Sequence, residues 1–123
     1  MSVFVLAALL SPAGAMPQTR APIALQIHSA SEDKTTKRFS SAVIKEFKQD
    51  SRFAMFGQGS GSGVVVTLPN EVGYERSLDW IRISYQARID TVGGASRTIA
   101  GSCWNWNLRV CAQQITNAAA GAQ

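Results

Sequence analysis

Residues 80–90 read WIRISYQARID, and apolar and polar side chains alternate along the whole stretch. Because successive side chains of a strand point to opposite faces, this period of two predicts a β-strand with one face in the core. The side chains predicted to enter the core are Ile81, Ile83, Tyr85, Ala87 and Ile89. The side chains predicted to form an exposed face are Trp80, Arg82, Ser84, Gln86, Arg88 and Asp90.

The residues after this strand predict a hairpin and then a helix. Gly93 and Gly94 mark a tight turn, and residues 96–104 (SRTIAGSCW) return as the partner strand. Residues 108–120 (LRVCAQQITNAAA) predict a C-terminal helix, because apolar side chains recur there at helical spacing. Those side chains are Leu108, Cys111, Ala112, Ile115 and Ala119.

The N-terminal half predicts a strand followed by a helix. Residues 23–27 (IALQI) alternate and predict the first strand, while residues 29–33 (SASED) supply side chains that cap a helix. The helix is predicted to end at residues 49–51 (QDS). Its apolar stripe consists of Phe39, Val43, Ile44 and Phe47.

Two further strands are predicted between this helix and the central strand. Residues 52–56 (RFAMF) predict one strand, and residues 64–68 (VVVTL) predict another that is buried on both faces. Residues 57–63 (GQGSGSG) connect them; they lack the Gly-Lys-Ser/Thr ending of a phosphate-binding loop, and no helix follows. Residues 69–77 predict a polar loop or an irregular edge.

This order of elements predicts an α+β fold. We expect a mainly antiparallel sheet of four to five strands, with two helices packed on one face. The opposite face is then open, and nothing in the domain is expected to neutralise Arg82 and Arg88 on it.

The first residues predict a signal peptide. Residues 3–10 (VFVLAALL) are an apolar run too short to span a bilayer, which takes about 20 residues. Residues 13–15 (AGA) put small residues at both key positions of a cleavage site. We therefore predict a signal peptide over 1–15 and a single domain over 16–123, periplasmic or secreted and not transmembrane after cleavage. The alternative is a buried first strand or helix.

The cysteines and charges restrict the chemistry. Two cysteines, Cys103 and Cys111, favour a disulfide in an exported protein, the alternative being two buried free thiols. Their spacing fits no zinc pattern and the single histidine cannot complete one, so no metal and no cofactor are predicted. The net charge of +4 looks scattered, and it suits either anionic partners or simple solubility.

Two groups of residues are candidates for binding. The open face offers Trp80, Arg82, Gln86 and Arg88, where an aromatic ring and two guanidiniums suit an acidic partner. Its alternative is a plain solvated sheet face. The second group is Trp104 and Trp106, which suit stacking on sugars, bases or peptides, unless one or both close the core beside the disulfide.

Candidates for catalysis are few. His28, the only histidine, has Ser29, Ser31, Glu32 and Asp33 as neighbours, but such local clusters usually cap helices. The acidic pairs Glu32/Asp33 and Glu71/Glu75 are typical of solvated residues, since nothing places either pair across a cleft. The sequence therefore favours a protein without catalytic activity, although it does not decide whether the protein is an enzyme.

The order of these elements over about residues 21–120 resembles a known family. The strand GVVVTL, the hairpin DWIRISYQARIDTVGGASRTIAGSCWNW and the final helix are similar to the N-terminal domain of the TolB translocation protein. They also resemble domains of curli-secretion and penicillin-binding-protein-activator lipoproteins. The resemblance implies an envelope interaction domain.

We therefore predict an exported, non-catalytic interaction module of the cell envelope, binding an envelope protein or an anionic glycan. The alternative is a small secreted hydrolase that uses His28 with a nearby carboxylate. Nucleic acid is not favoured, because aromatic residues are not interleaved with Lys or Arg. The oligomeric state is left open.

Overall fold

The computed structural model describes residues 22–55 and 63–122, which form six strands and two helices. The strands are β1 (Ile23–His28), β2 (Phe53–Met55), β3 (Gly63–Thr67), β4 (Gly73–Ser77), β5 (Trp80–Thr91) and β6 (Ser96–Trp104). The helices are α1 (Lys34–Gln49) and α2 (Leu108–Gly121). The predicted signal peptide and residues 57–62 of the predicted connector lie outside the described residues.

All six strands join one mixed sheet in which β5 is the central strand. β6 pairs along one edge of β5, while β3 and β4 share the other edge, and all three pairings are antiparallel. β1 lies between β2 and β3 and pairs with both in parallel. The prediction of an α+β fold with a mainly antiparallel sheet is confirmed, and the sheet has six strands instead of four to five.

Several element boundaries differ from the prediction, and two of the differences affect the sheet. Residues expected to form a loop or irregular edge include β4, a regular edge strand. Gly63, expected in the connector, is the first residue of β3, where a β-carbon would lie 2.9 Å from the Ala24 carbonyl oxygen. Glycine therefore lets β3 approach β1 closely at this point.

Both helices cover one face of the sheet, as predicted. Four of the five side chains of β5 predicted to point inward are at most 5% exposed, while Ile81 is only partly buried. The centroid of the Phe39 ring of α1 lies 5.3 Å from the centroid of the Tyr85 ring. On the α2 side, the Tyr85 hydroxyl donates a hydrogen bond of 2.9 Å to Gln114 Oε1. The buried β5 side chains are Ile83, Tyr85, Ala87 and Ile89. The register derived from the alternation is therefore confirmed.

The capping residue of α1 comes from the SASED segment, as expected. Asp33 Oδ2 accepts a hydrogen bond of 2.9 Å from the Thr36 backbone N–H. Hydrogen bonds from Thr36 lower the pKa of Asp33 below its ordinary value. Inside the helix, Thr36 Oγ1 accepts a hydrogen bond of 3.0 Å from the Val72 N–H, which fastens the β3–β4 connection to α1.

Among the described residues, no helix is long and apolar enough to cross a membrane.

Candidate binding surface

The face of β5 that points away from the helices is exposed. Arg82, Ser84, Gln86 and Arg88 all lie on it, as the alternation predicts. Strand pairing adds residues of β4 and β6 to the same face, because directly paired residues project to the same side of a sheet. Arg82 is thus flanked by Glu75 on one side and Trp104 on the other.

All three tryptophans of the chain gather at one end of this face. The rings of Trp80 and Trp106 have centroids 5.7 Å apart. The guanidinium carbon of Arg82 lies 5.6 Å from the centroid of the Trp104 ring, within the range of a cation–π contact. We refer to Trp80, Arg82, Trp104 and Trp106 as the tryptophan cluster.

Neither tryptophan of the WNWN segment closes the core. Trp106 is 60% exposed and Trp80 is 50% exposed, while Trp104 is half-buried. Cys103 points inward and is buried, so the alternation along β6 turns Trp104 to the open face. Both Trp80 and Trp106 therefore have exposed surface that is available to a partner.

The turn that carries Trp106 is fastened at both ends. The Asn105 N–H donates a hydrogen bond of 2.8 Å to the Ile81 carbonyl, and Asn105 Oδ1 accepts one of 3.4 Å from the Ile81 N–H. A disulfide joins Cys103 of β6 to Cys111 of α2, with a Cα–Cα distance of 5.6 Å, so the predicted bond is confirmed. The loop that it closes contains both Trp104 and Trp106.

The two arginines of the open face differ in their surroundings. Arg82 donates a hydrogen bond of 2.8 Å from Nη2 to Ser102 Oγ. Arg88 donates from Nε to Asp90 Oδ1 and to Ser96 Oγ, each at 3.0 Å. Hydrogen bonds from Ser96 first and then from Arg88 lower the pKa of Asp90. The expectation that nothing neutralises either guanidinium is wrong for Arg88, because Asp90 is on the same strand face two residues away.

Not all predicted binding residues lie together. At about 3.3 Å per residue, Gln86 is about 13 Å along β5 from Arg82, and Arg88 is about 20 Å away. A surface of small residues separates them from the tryptophan cluster: Gly73, Ser84, Ala100 and Ser102. The candidate surface is therefore narrower than the whole strand face.

One residue beside the cluster was missed by the sequence analysis. Leu78 is in the two-residue turn between β4 and β5, where Ser77 pairs with Trp80. It is 96% exposed and has a φ of 45°, a left-handed conformation that glycine, asparagine and aspartate adopt more readily. Leucine is not a residue typical of turns, so the sequence did not predict a turn at this position.

The residues considered for catalysis have ordinary surroundings. His28 is exposed at the end of β1, and the Asp33 carboxylate is engaged in capping α1. Glu71 and Glu75 are both exposed, and Glu75 faces Arg82 across the β4–β5 pairing. Within residues 22–55 and 63–122, no three His, Cys, Asp or Glu side chains are grouped as metal ligands.

Comparison with known proteins finds no matching family model and no matching curated sequence. Several solved structures are loosely similar in fold. A minor lipoprotein from Acinetobacter baumannii is 9% identical, with a TM-score of 0.46 over 80% of this chain and 93% of that chain. A lipoprotein from Neisseria meningitidis is 10% identical, with a TM-score of 0.41 over 81% of this chain and 99% of that chain.

The PelC dodecamer from Paraburkholderia phytofirmans is 14% identical, with a TM-score of 0.40 over 78% of this chain and 87% of that chain. Two of these three matches are to bacterial lipoproteins. The resemblance to the TolB N-terminal domain is more specific than these matches and stays a prediction.

Proposed function

We propose that this chain is a small exported binding module of the cell envelope, without catalytic activity, and that the tryptophan cluster is its recognition surface. The observation that carries the proposal is the gathering of all three tryptophans at one end of the open face, with the Arg82 guanidinium over the Trp104 ring. The disulfide supports export, because such bonds persist mainly in oxidising compartments. The predicted signal peptide and the resemblance to the TolB N-terminal domain belong to the same proposal.

The cluster has the properties of a prepared binding surface. Tryptophan and arginine are the residues that most often dominate the binding energy of an interface. Here the Trp106 turn is held by hydrogen bonds to Ile81 and by the disulfide, so binding has little disorder to remove. The half-exposed rings offer flat apolar faces, which suit either a sugar ring or an apolar side chain.

Arg82 gives the surface its chemical preference. A guanidinium has five N–H donors, and within the described residues one hydrogen bond from Arg82, to Ser102, is formed. The remaining donors make a planar fork suited to a carboxylate. Glu75 lies opposite Arg82 and repels additional negative charge. The proposed partner is therefore an envelope protein or an anionic glycan that presents a single carboxylate beside an apolar or sugar surface.

The tryptophan fluorescence of this protein reports on the cluster alone, because the chain has no tryptophan outside it. Titration with fractionated envelope extract is expected to shift this fluorescence, and immobilised protein is expected to retain the same component. Arg82→Gln and Trp106→Ser are each expected to weaken this binding about tenfold or more, with little change in melting temperature.

Arg88→Gln is the matched control, since it removes the same charge from the same face at a residue that pairs with Asp90. It is expected to leave binding almost unchanged. Equal losses for Arg82→Gln and Arg88→Gln would attribute binding to net charge alone. Undiminished binding by Arg82→Gln and Trp106→Ser would rule out the tryptophan cluster.

A further inference from the structure

The outer face of α1 carries a row of basic side chains, two groups separated by about two helical turns. At about 100° per residue, these side chains fall within an arc of about 100°, opposite the buried stripe of Phe39, Val43 and Phe47. The row extends about 21 Å along the helix at 1.5 Å per residue. All of its members are exposed, and we call them the basic stripe: Lys34, Lys37, Arg38, Lys45 and Lys48.

The helix that carries the basic stripe accounts for the whole net charge of the protein. The chain has twelve Lys and Arg and eight Asp and Glu. α1 holds five of the basic residues and one acidic residue, Glu46, so the rest of the chain has seven of each sign. Glu46 lies outside the arc and pairs with Arg109 at 3.2 Å. The expectation that the charges are scattered is therefore wrong.

Nothing in the described residues neutralises the stripe. Across residues 22–55 and 63–122, the ion pairs are those of Arg52, Arg88 and Arg109, and none involves a stripe residue. Like charges held together on one helix face repel one another, at a small cost to stability. That repulsion is relieved by an anionic surface that covers all five at once.

We propose that the basic stripe docks this protein on the surface of a membrane that contains anionic lipids. The stripe lies on the outer side of the helix, away from the core, where a broad surface can reach all of its members. Four of its five members are lysines, whose charge is compact and carried on a flexible chain, as fits mobile headgroups. The tryptophans, which could stack on the bases of a nucleic acid, lie on the other side of the sheet.

Docking by α1 also determines the orientation of the molecule. The helices cover one face of the sheet, and the tryptophan cluster lies on the opposite face. A protein that rests on lipid through the basic stripe therefore turns the cluster away from the membrane. The stripe has no large apolar side chain, so the association is peripheral and is screened by salt.

Sedimentation with lipid vesicles tests the proposal on the full chain. One set of vesicles is phosphatidylcholine alone, and in the other about one third of the lipid is phosphatidylglycerol. Each basic residue near an anionic membrane strengthens binding about fivefold, so Lys37→Gln combined with Lys45→Gln is expected to lower partitioning into the anionic vesicles about 25-fold. Glutamine has a helix propensity close to that of lysine, so α1 is expected to stay folded.

The matched control is Arg76→Gln combined with Arg97→Gln, which removes the same charge from exposed residues of β4 and β6. It is expected to lower partitioning only slightly. Any binding through the apolar run of residues 1–15 is common to both double variants, because none of the four substitutions lies in that segment. Circular dichroism verifies that both double variants are folded.

Three outcomes would overturn the proposal. The first is equal partitioning into neutral and anionic vesicles, and the second is an equal loss for the two double variants. The third is stripe-dependent binding to a DNA duplex without binding to anionic vesicles, which would assign the stripe to a soluble polyanion.

Discussion

At the scale of single residues, the turn between β4 and β5 places an apolar side chain where packing does not require one. Leu78 is almost fully exposed and has a left-handed backbone, which costs an L-amino acid about 1–2 kcal/mol. It lies two residues from Trp80, at the edge of the tryptophan cluster. Strain of this kind tends to persist at ligand-binding sites, where the side chain has a use that outweighs the cost.

Replacing Leu78 by asparagine is expected to stabilise the protein by about 1 kcal/mol, because asparagine tolerates a left-handed backbone and no buried contact is lost. Leu78→Ala is the control, since alanine also disfavours this conformation and should give little gain. Urea denaturation measures both variants. Equal midpoints for Leu78→Asn and Leu78→Ala would show that the backbone at this turn is not strained.

Asp33 predicts how one cap responds to pH. Its pKa is lower in the folded protein than its ordinary value of 3.8, because of hydrogen bonds from Thr36. A carboxyl group with a depressed folded pKa stabilises the protein above its unfolded pKa, and this contribution is lost as the pH falls through the folded pKa. Asp33→Ala is therefore expected to lower the melting temperature at neutral pH, with the difference narrowing in acid. Asp33→Asn keeps a capping oxygen and should melt close to the wild type at neutral pH. A constant difference at every pH would contradict this assignment.

At the scale of elements, β5 was predictable because one of its faces is buried along its length. The same is true of α1, where three of the four residues of the predicted apolar stripe, Phe39, Val43 and Phe47, are buried. The fourth, Ile44, is partly exposed. β4 was not predictable in this way, since all of its residues are exposed and no face of it leaves an apolar pattern. An edge strand of this kind forms because β5 offers an unpaired edge. Its formation therefore depends on a neighbouring strand and cannot be predicted from the residues of β4 alone.

The tryptophan cluster was predictable only in part, for a related reason. Its members were each identified from the sequence, but Arg82 meets Trp104 through strand register, and Trp80 meets Trp106 through the turn after β6. Spacing along the chain does not give these distances. The ion pair of Arg88 with Asp90 follows from period two alone, because residues two apart on a strand share a face.

The register of β5 has a direct test. Ile83→Asp places a charge at a position with 0% exposure, with an expected cost of about 3–5 kcal/mol or a failure to fold. Ser84→Asp changes the adjacent, exposed residue and is expected to cost about 1 kcal/mol or less. Thermal denaturation of the two variants distinguishes the two faces. Similar losses would mean that the register is shifted by one residue.

At the scale of the whole molecule, the disulfide connects stability to the candidate surface. It closes a loop of about nine residues between β6 and α2, which is worth about 2–3 kcal/mol in the chain-entropy model. Two tryptophans of the cluster lie inside that loop. The bond therefore stabilises the fold and also fixes the geometry of Trp106 against Trp80.

Cys103→Ala combined with Cys111→Ala is expected to lower the free energy of unfolding by about 2–3 kcal/mol. The loosened turn should also make the tryptophan fluorescence easier to quench with iodide. Reducing agent should reproduce both effects in the wild type and have none on the double variant. A stable variant with unaltered quenching would show that hydrogen bonding to Ile81 alone holds the turn.

The central position of β5 also orders events in time during folding. β4, β5 and β6 form two consecutive hairpins, so their contacts close short stretches of chain, whereas the parallel pairings of β1 bring together more distant segments. Local contacts form faster than distant ones, and we expect the 73–104 meander to be the folding nucleus. The N-terminal half leaves the ribosome first, and we expect β1, β2 and β3 to join the sheet only after the 73–104 meander has been synthesised. The chain is therefore expected to stay unfolded until most of it has been synthesised. High φ-values at Ala87 with low ones at Leu25 would support this order of folding, and the reverse pattern would refute it.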